Sequence, residues 1–363
     1  MDGFSLAFGE ITLVLFTTLA PSGALAYLIM GLPVLVGRAQ GEAARRLNQW
    51  SCLPLVIAMV GLIASATHLG NPSNALYVFT GVGRSPLSTE VFAAVIFLAL
   101  AGVFWLYSFA EHPRVGLQRG LLAAIDVAIV AFVLSVAFAY NVDTILTWSL
   151  PLVPASLMLN SLFGGPLLAL AGFALASRGL GAAPTAELPI AHTAPEGASK
   201  AHVEPGKASK AQPAAARVFP SRRGARILLA LATTACAANV AVYAVLGFQL
   251  QGIENELVSA ADLVAGYPVY LAVFAVLSAS ALALAWRTAI KRSGYRSSER
   301  QGDGGQPSPP TSPASPTPTA PPTPPTPLTS PAPLAVASIL AFVAIFLMRF
   351  TFYMSHLTVG LGV

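Results

Sequence analysis

Six side chains in this sequence have the chemistry to handle protons beside a ligand that becomes anionic: His68, Arg84, Glu90, Arg349, Tyr353 and His356. A histidine with an ordinary pKa near 6.5 can accept a proton at neutral pH, and a carboxylate can pass it on. An arginine can hold a carboxylate charged or stabilise a developing anion. Tyr353 and His356 follow Arg349 by four and seven residues, a spacing that sets all three on one helical face. Arg349 lies inside an apolar run, where a charged side chain costs at least ~2.5–3.5 kcal/mol and calls for a partner or a function.

The elements that must position these groups follow from composition. Hydrophobic residues make up 55% of the 363, charged residues only 10%, and the mean hydropathy is +0.70. Soluble domains carry about 25% charge, so this chain belongs in a bilayer. Eight apolar runs are read at 11–36, 51–69, 91–110, 121–140, 151–176, 227–248, 263–286 and 334–355. Each can cross ~30 Å of hydrocarbon as helix. The runs are apolar on every face, unlike the alternating ~10-residue strands of a membrane barrel. The fold class expected is an all-α integral membrane bundle of eight transmembrane helices.

Charge orients the bundle. Of the 20 basic residues, all but Arg84 and Arg349 fall in odd-numbered loops, from Arg38, Arg45 and Arg46 through Arg114 and Arg119 to the long fifth and seventh loops. The even loops hold Asp143, Glu254, Glu256 and Asp262. Basic loops stay in the cytoplasm, so both termini and the even loops are expected outside. The net charge of +5 is thus a topology signal, not a nucleic-acid footprint. No basic stretch precedes the first run, which favours a retained first helix over a cleaved signal. Residues 178–226 and 288–333 are read as cytoplasmic linkers between spans 1–5 (1–177), 6–7 (227–287) and 8 (334–363). Their low-complexity cores, Ala/Pro/Lys-rich and Pro/Thr/Ser-rich, cannot bury enough apolar surface to order themselves.

On this topology His68 ends the second span, Glu90 begins the third, Arg84 sits in outer loop two, and Arg349, Tyr353 and His356 lie near the outer end of the last. They share a depth and can line one cavity; spacing alone leaves open whether they meet. Each also has a plain structural reading: an interfacial histidine, a helix-start carboxylate, an Arg349–Glu90 pair, a belt tyrosine. Asp126 in the fourth run and Gly164-Gly165-Pro166 in the fifth are read first as packing features, and Trp148 as an interface anchor. Cys52 and Cys236 have no metal-ligand spacing.

The ordered motifs are His68-Leu69-Gly70-x-Pro72, Ser85-x-Leu87-Ser88-x-Glu90, Gly164-Gly165-Pro166-Leu167-Leu168 and Arg349-x-x-Phe352-Tyr353-x-x-His356-x-Thr358-Val359-Gly360. Across all eight spans the chain resembles the membrane anchor subunit of the anaerobic dimethyl sulfoxide reductase family; its two long linkers depart from that compact pattern. The resemblance implies a non-catalytic anchor that binds menaquinol and holds two partners at a prokaryotic cytoplasmic membrane. One is an iron–sulfur subunit; the other is a molybdopterin subunit that reduces an S-oxide or N-oxide. It also implies roles in quinol binding and oxidation for His68 and Glu90. No haem or metal is expected in this chain. Three other readings stay open, one of them a pure scaffold with no quinol site. A haem-bearing quinol dehydrogenase subunit would have to use His68 and His356 as axial ligands. A secondary transporter would draw on Asp126 and the interrupted fifth helix.

Overall fold

The computed structural model describes residues 2–68, 72–178, 220–290 and 331–358. Leu69, Gly70, Asn71, the low-complexity cores of both linkers and the segment from Val359 onward lie outside the described residues.

Among the described residues, eight helices are long and apolar enough to cross a membrane. In chain order the helices are α1 (Gly3–Gly9), α2 (Ile11–Leu35), α3 (Gly41–Trp50), α4 (Cys52–Thr67), a 3-10 helix (Pro72–Gly81), α5 (Pro86–Tyr107), α6 (Val115–Ala139), α7 (Val153–Ala176), α8 (Arg222–Leu250), α9 (Ala260–Leu263), α10 (Tyr267–Ile290) and α11 (Pro331–Met354). The chain is an all-α membrane protein. Isolated helices in lipid have no unpaired backbone to bury, which is why apolar length alone marked them.

The ends of the spans differ from the hydropathy reading, because polar residues outside the apolar runs still join the helices. Ser85 accepts from the Ser88 N–H and Pro86 fits the first helical position, so α5 starts five residues early and carries Glu90 into its second turn. α6 likewise starts at Val115, taking Gln118 and Arg119 into its first two turns. The short helices α1, α3 and α9 are too small or too polar to register as spans.

α2 and α7 are the enclosed centre, apolar around most of their circumference and mostly buried. α2 touches α4, α6, α7 and α11, and α7 passes the bundle on to α8, with α10 closing against α8 and α11. Lipid tails leave no hydrophobic drive between helices, so close packing of small residues must hold them. At the α2–α4 crossing a Cβ on Gly23 would lie 2.8 Å from the Ala58 amide nitrogen, and one on Gly61 would lie 2.8 Å from that of Ala20. A Cβ on Gly164 or Gly165 would lie 3.0 Å from the Ser22 or Leu25 side chain of α2, so the Gly-Gly-Pro motif is a packing seam here.

Candidate functional site

Arg349 is completely buried in the last span. Its Nε donates to Thr17 Oγ1 at 3.0 Å, tying α11 to α2. Its guanidinium lies 4.0 Å from the Phe352 ring centroid, 5.4 Å from that of Tyr353 and 5.6 Å from that of Tyr140. Facing rings attract a desolvated cation and offset part of its insertion cost. Pro21 has no N–H to give the Thr17 carbonyl four residues back, so that carbonyl lacks its usual α-helical donor at this level. Neither Nη of Arg349 has a hydrogen-bond partner.

Two further polar atoms in this region are buried and unpartnered, Glu90 Oε2 and Trp148 Nε1; the Tyr353 hydroxyl faces Tyr140, Thr17 and Arg349, in contacts longer or more bent than a good hydrogen bond. Glu90 and Arg349 both lie within electrostatic reach of Tyr140. They do not form an ion pair, one of the readings the sequence left open; Arg349 meets Thr17 and the aromatic rings instead. Trp148, read from sequence as an interface anchor, is buried instead. Its ring stacks on Phe352 at 4.8 Å and meets Tyr353 at 5.5 Å and His356 at 5.1 Å. The segment after α6 holds it there, since Leu146 N–H donates to the Leu357 carbonyl and Thr147 Oγ1 to the Ser355 carbonyl.

Two turns along the helices, at the rim, lies a titratable group. Glu10, between α1 and α2, sits 3.4 Å from His68 Nδ1 at the end of α4. His356 lies just past α11 and also feels the Glu10 carboxylate, which raises its proton affinity while burial, the larger effect, lowers it. His68 pairs with Glu10, and it makes no ion pair with Glu90. The other sequence-derived position, Arg84, is exposed and joins neither group among the described residues.

Sequence reasoning missed Glu10, Thr17 and Tyr140. Glu10 was legible as a carboxylate one residue ahead of the first span. Thr17 carries no such signal, because hydroxyls are common in spans and usually bond their own helix, as this one also does to the Leu13 carbonyl. A buried polar chain was missed too. Asn239 Nδ2 donates to Asn160 Oδ1 at 2.7 Å, and Asn160 Nδ2 donates to the Tyr243 hydroxyl at 2.8 Å. Tyr243 in turn lies within electrostatic reach of Arg349. The crevice beside Tyr243 and Phe352 has about 30 Å³, room for a water and not a ring. Among the described residues no three His, Cys, Asp or Glu side chains converge as a metal site would require.

Part of this sequence is shared with known proteins. It is 32% identical over 160 residues to the C subunit of the anaerobic dimethyl sulfoxide reductase of Escherichia coli. It is 31% identical over 163 residues to YnfH, an anaerobic dimethyl sulfoxide reductase subunit of the same organism, and 30% identical over 156 residues to the C subunit of the Haemophilus influenzae reductase. The matched stretches cover 43–45% of this protein and 56–57% of each relative, so the chain spans little more than half the length of the relatives it matches. The family described as DMSO reductase anchor subunit (DmsC) matches over residues 5–297, seven of the eight spans, and stops short of α11. On that match, which takes in Glu10, His68 and Glu90 with the helices that position them, the chain belongs to the DMSO reductase anchor subunit family.

Proposed function

We propose that this chain oxidises menaquinol at the end of the bundle where Glu10, His68 and His356 lie. It then passes the electrons to an iron–sulfur subunit that serves a molybdopterin reductase of S-oxides or N-oxides. One observation carries the reading: buried, incompletely satisfied polar atoms of Arg349 and Glu90, with the Tyr140 and Tyr353 hydroxyls beside them, lie beneath a rim of ionisable groups and among aromatic side chains. Buried polar atoms without partners are rare in folded proteins and mark places where a ligand supplies them. A quinol head group has two hydroxyls to give and take hydrogen bonds and a ring that suits aromatic walls.

Oxidation removes two electrons and two protons from the quinol. His68 accepts one hydroxyl proton, and the Glu10 carboxylate beside it stabilises the imidazolium that forms. Arg349 steadies the quinolate oxygen through its free Nη groups, and Glu90 receives the second proton and releases it outward. The concentration of basic residues in the odd-numbered loops supports an outer-facing position for this end, with both termini on that side. The clusters that receive the electrons belong to the partner, which docks at the same face.

The test uses membranes holding the assembled complex. His68→Ala should lower acceptor reduction driven by a menaquinol analogue by about a hundredfold or more, the scale of general acid–base catalysis. Reduction driven by a reduced dye that bypasses the anchor should be unchanged. Survival of the quinol-driven rate would remove His68 from the mechanism.

A further inference from the structure

The opposite end of the bundle carries a cavity of its own, of about 370 Å³, between the α2–α3 turn and the start of α6. Val34, Gln40, Ala44, Arg45, Gln118 and Arg119 line it, and no carboxylate does. Two helices begin there, α3 at Gly41 and α6 at Val115. Neither N-terminus is capped by a side chain, since Gln40 and Arg114 accept no bond from the turns they precede. Both therefore present free N–H groups and the positive ends of their dipoles.

The side chains add to this. Gln118 is 7% exposed, and its carboxamide bonds to no described residue. Arg119 has a buried, unpartnered Nε, and its guanidinium packs over the Gly37 backbone, in the space a Cβ there would need. Gly37 has φ +71°, so glycine is required on two counts. Arg45 is exposed and free of any ion pair among the described residues, because the nearby Glu42 is held by Arg46 at 3.1 Å. The site is thus positive and unsatisfied, which is the chemistry of an anion site. Exposed apolar residues adjoin it: Val115 lines the cavity, and Val36 and Leu117 lie within two residues of lining residues in the chain.

We infer that this cavity binds the phosphate of an anionic phospholipid. Arg45 and Arg119 supply the charge, and Gln118 and the two helix starts supply hydrogen bonds. Acyl chains run over Val36, Val115 and Leu117. A free phosphate would meet the same donors but leave that apolar rim uncovered. Basic hollows at helix ends on the positively charged side of a membrane protein are suited to such head groups.

Native mass spectrometry of the detergent-purified full chain tests this, with phosphatidylglycerol, phosphatidylcholine or inorganic phosphate added. Phosphatidylglycerol should bind preferentially. An arginine that contacts the head group is worth about fivefold in affinity, so Arg45→Gln should weaken it about fivefold and Arg45→Gln/Arg119→Gln about thirtyfold. Arg45 is exposed, so the single variant tests the site even where the double variant folds poorly. Arg38→Gln, on the same turn but outside the cavity, should bind as the wild type does. The proposal fails if Arg45→Gln retains full affinity, if Arg38→Gln loses as much, or if inorganic phosphate displaces the lipid at equal concentration.

Discussion

Thr17 and Arg349, 332 positions apart, are joined by the 3.0 Å hydrogen bond from the arginine Nε to the threonine hydroxyl. α2 and α11 run antiparallel, so the same register that sets Thr17 against Arg349 sets Glu10 level with His356. One helix pair therefore fixes both layers of the candidate site, the buried cation and the ionisable rim.

That bond gives a first prediction. Thr17→Val keeps the shape but removes the acceptor of a fully buried guanidinium. Loss of a hydrogen bond to a charged group should cost about 1.5–3 kcal/mol, while Thr17→Ser should stay within about 1 kcal/mol. Unfolding in mixed micelles measures both, and equal stability of the Val variant and the wild type would show that the aromatic rings alone hold Arg349.

Glu10 acts through His68 in the proposed mechanism, so the two should not behave independently. Glu10→Gln should slow quinol-driven turnover, and adding it to His68→Ala should cause little further loss. Multiplying effects in the double variant would separate the two residues. Their direct contribution to stability should stay below about 1 kcal/mol, because both are partly exposed.

Trp148 caps the aromatic wall. Trp148→Ala should destabilise by about 3–5 kcal/mol, as for other large buried aromatics, and Trp148→Phe by clearly less. An alanine variant with wild-type unfolding would return Trp148 to the role of a surface anchor.

His356 predicts a pH dependence. Burial lowers its pKa below the ordinary 6.5, with Glu10 opposing. In the window between the folded and unfolded values the unfolded state binds more protons, so stability rises with pH there. The histidine's contribution is complete above about 6.5 and is lost as the pH falls through the folded value. The melting temperature should therefore drop on acidification below about 6.5, and His356→Gln should flatten that drop. Superimposable profiles for the two proteins would assign the acid sensitivity elsewhere.

The α2–α4 seam can be tested at a residue that is not itself part of the site. Gly23→Val puts side-chain atoms onto the Pro54–Ala58 backbone of α4. Overpacking of this kind costs about 1–3 kcal/mol or more, and here it would separate the helices that carry Glu10 and His68. The expected result is reduced yield of folded protein and a loss of quinol-driven rate together.

The sequence by itself determined the membrane fold. Twenty-residue apolar runs leave the backbone no alternative to helix in lipid, and this holds whatever the helices pack against. It also marked Arg349, because a charge within such a run stands out against its cost. Short polar elements such as α1 and α3 lacked that signal, and cap residues moved the start of α5. The tertiary structure alone decided who meets whom: Glu10 with His68, Thr17 with Arg349, and Trp148 over Tyr353 and His356. In a bilayer the helix order in space is set by small-residue contacts such as Gly23 on Ala58. Such contacts depend on the shapes of both partners, and no single run of the sequence contains both.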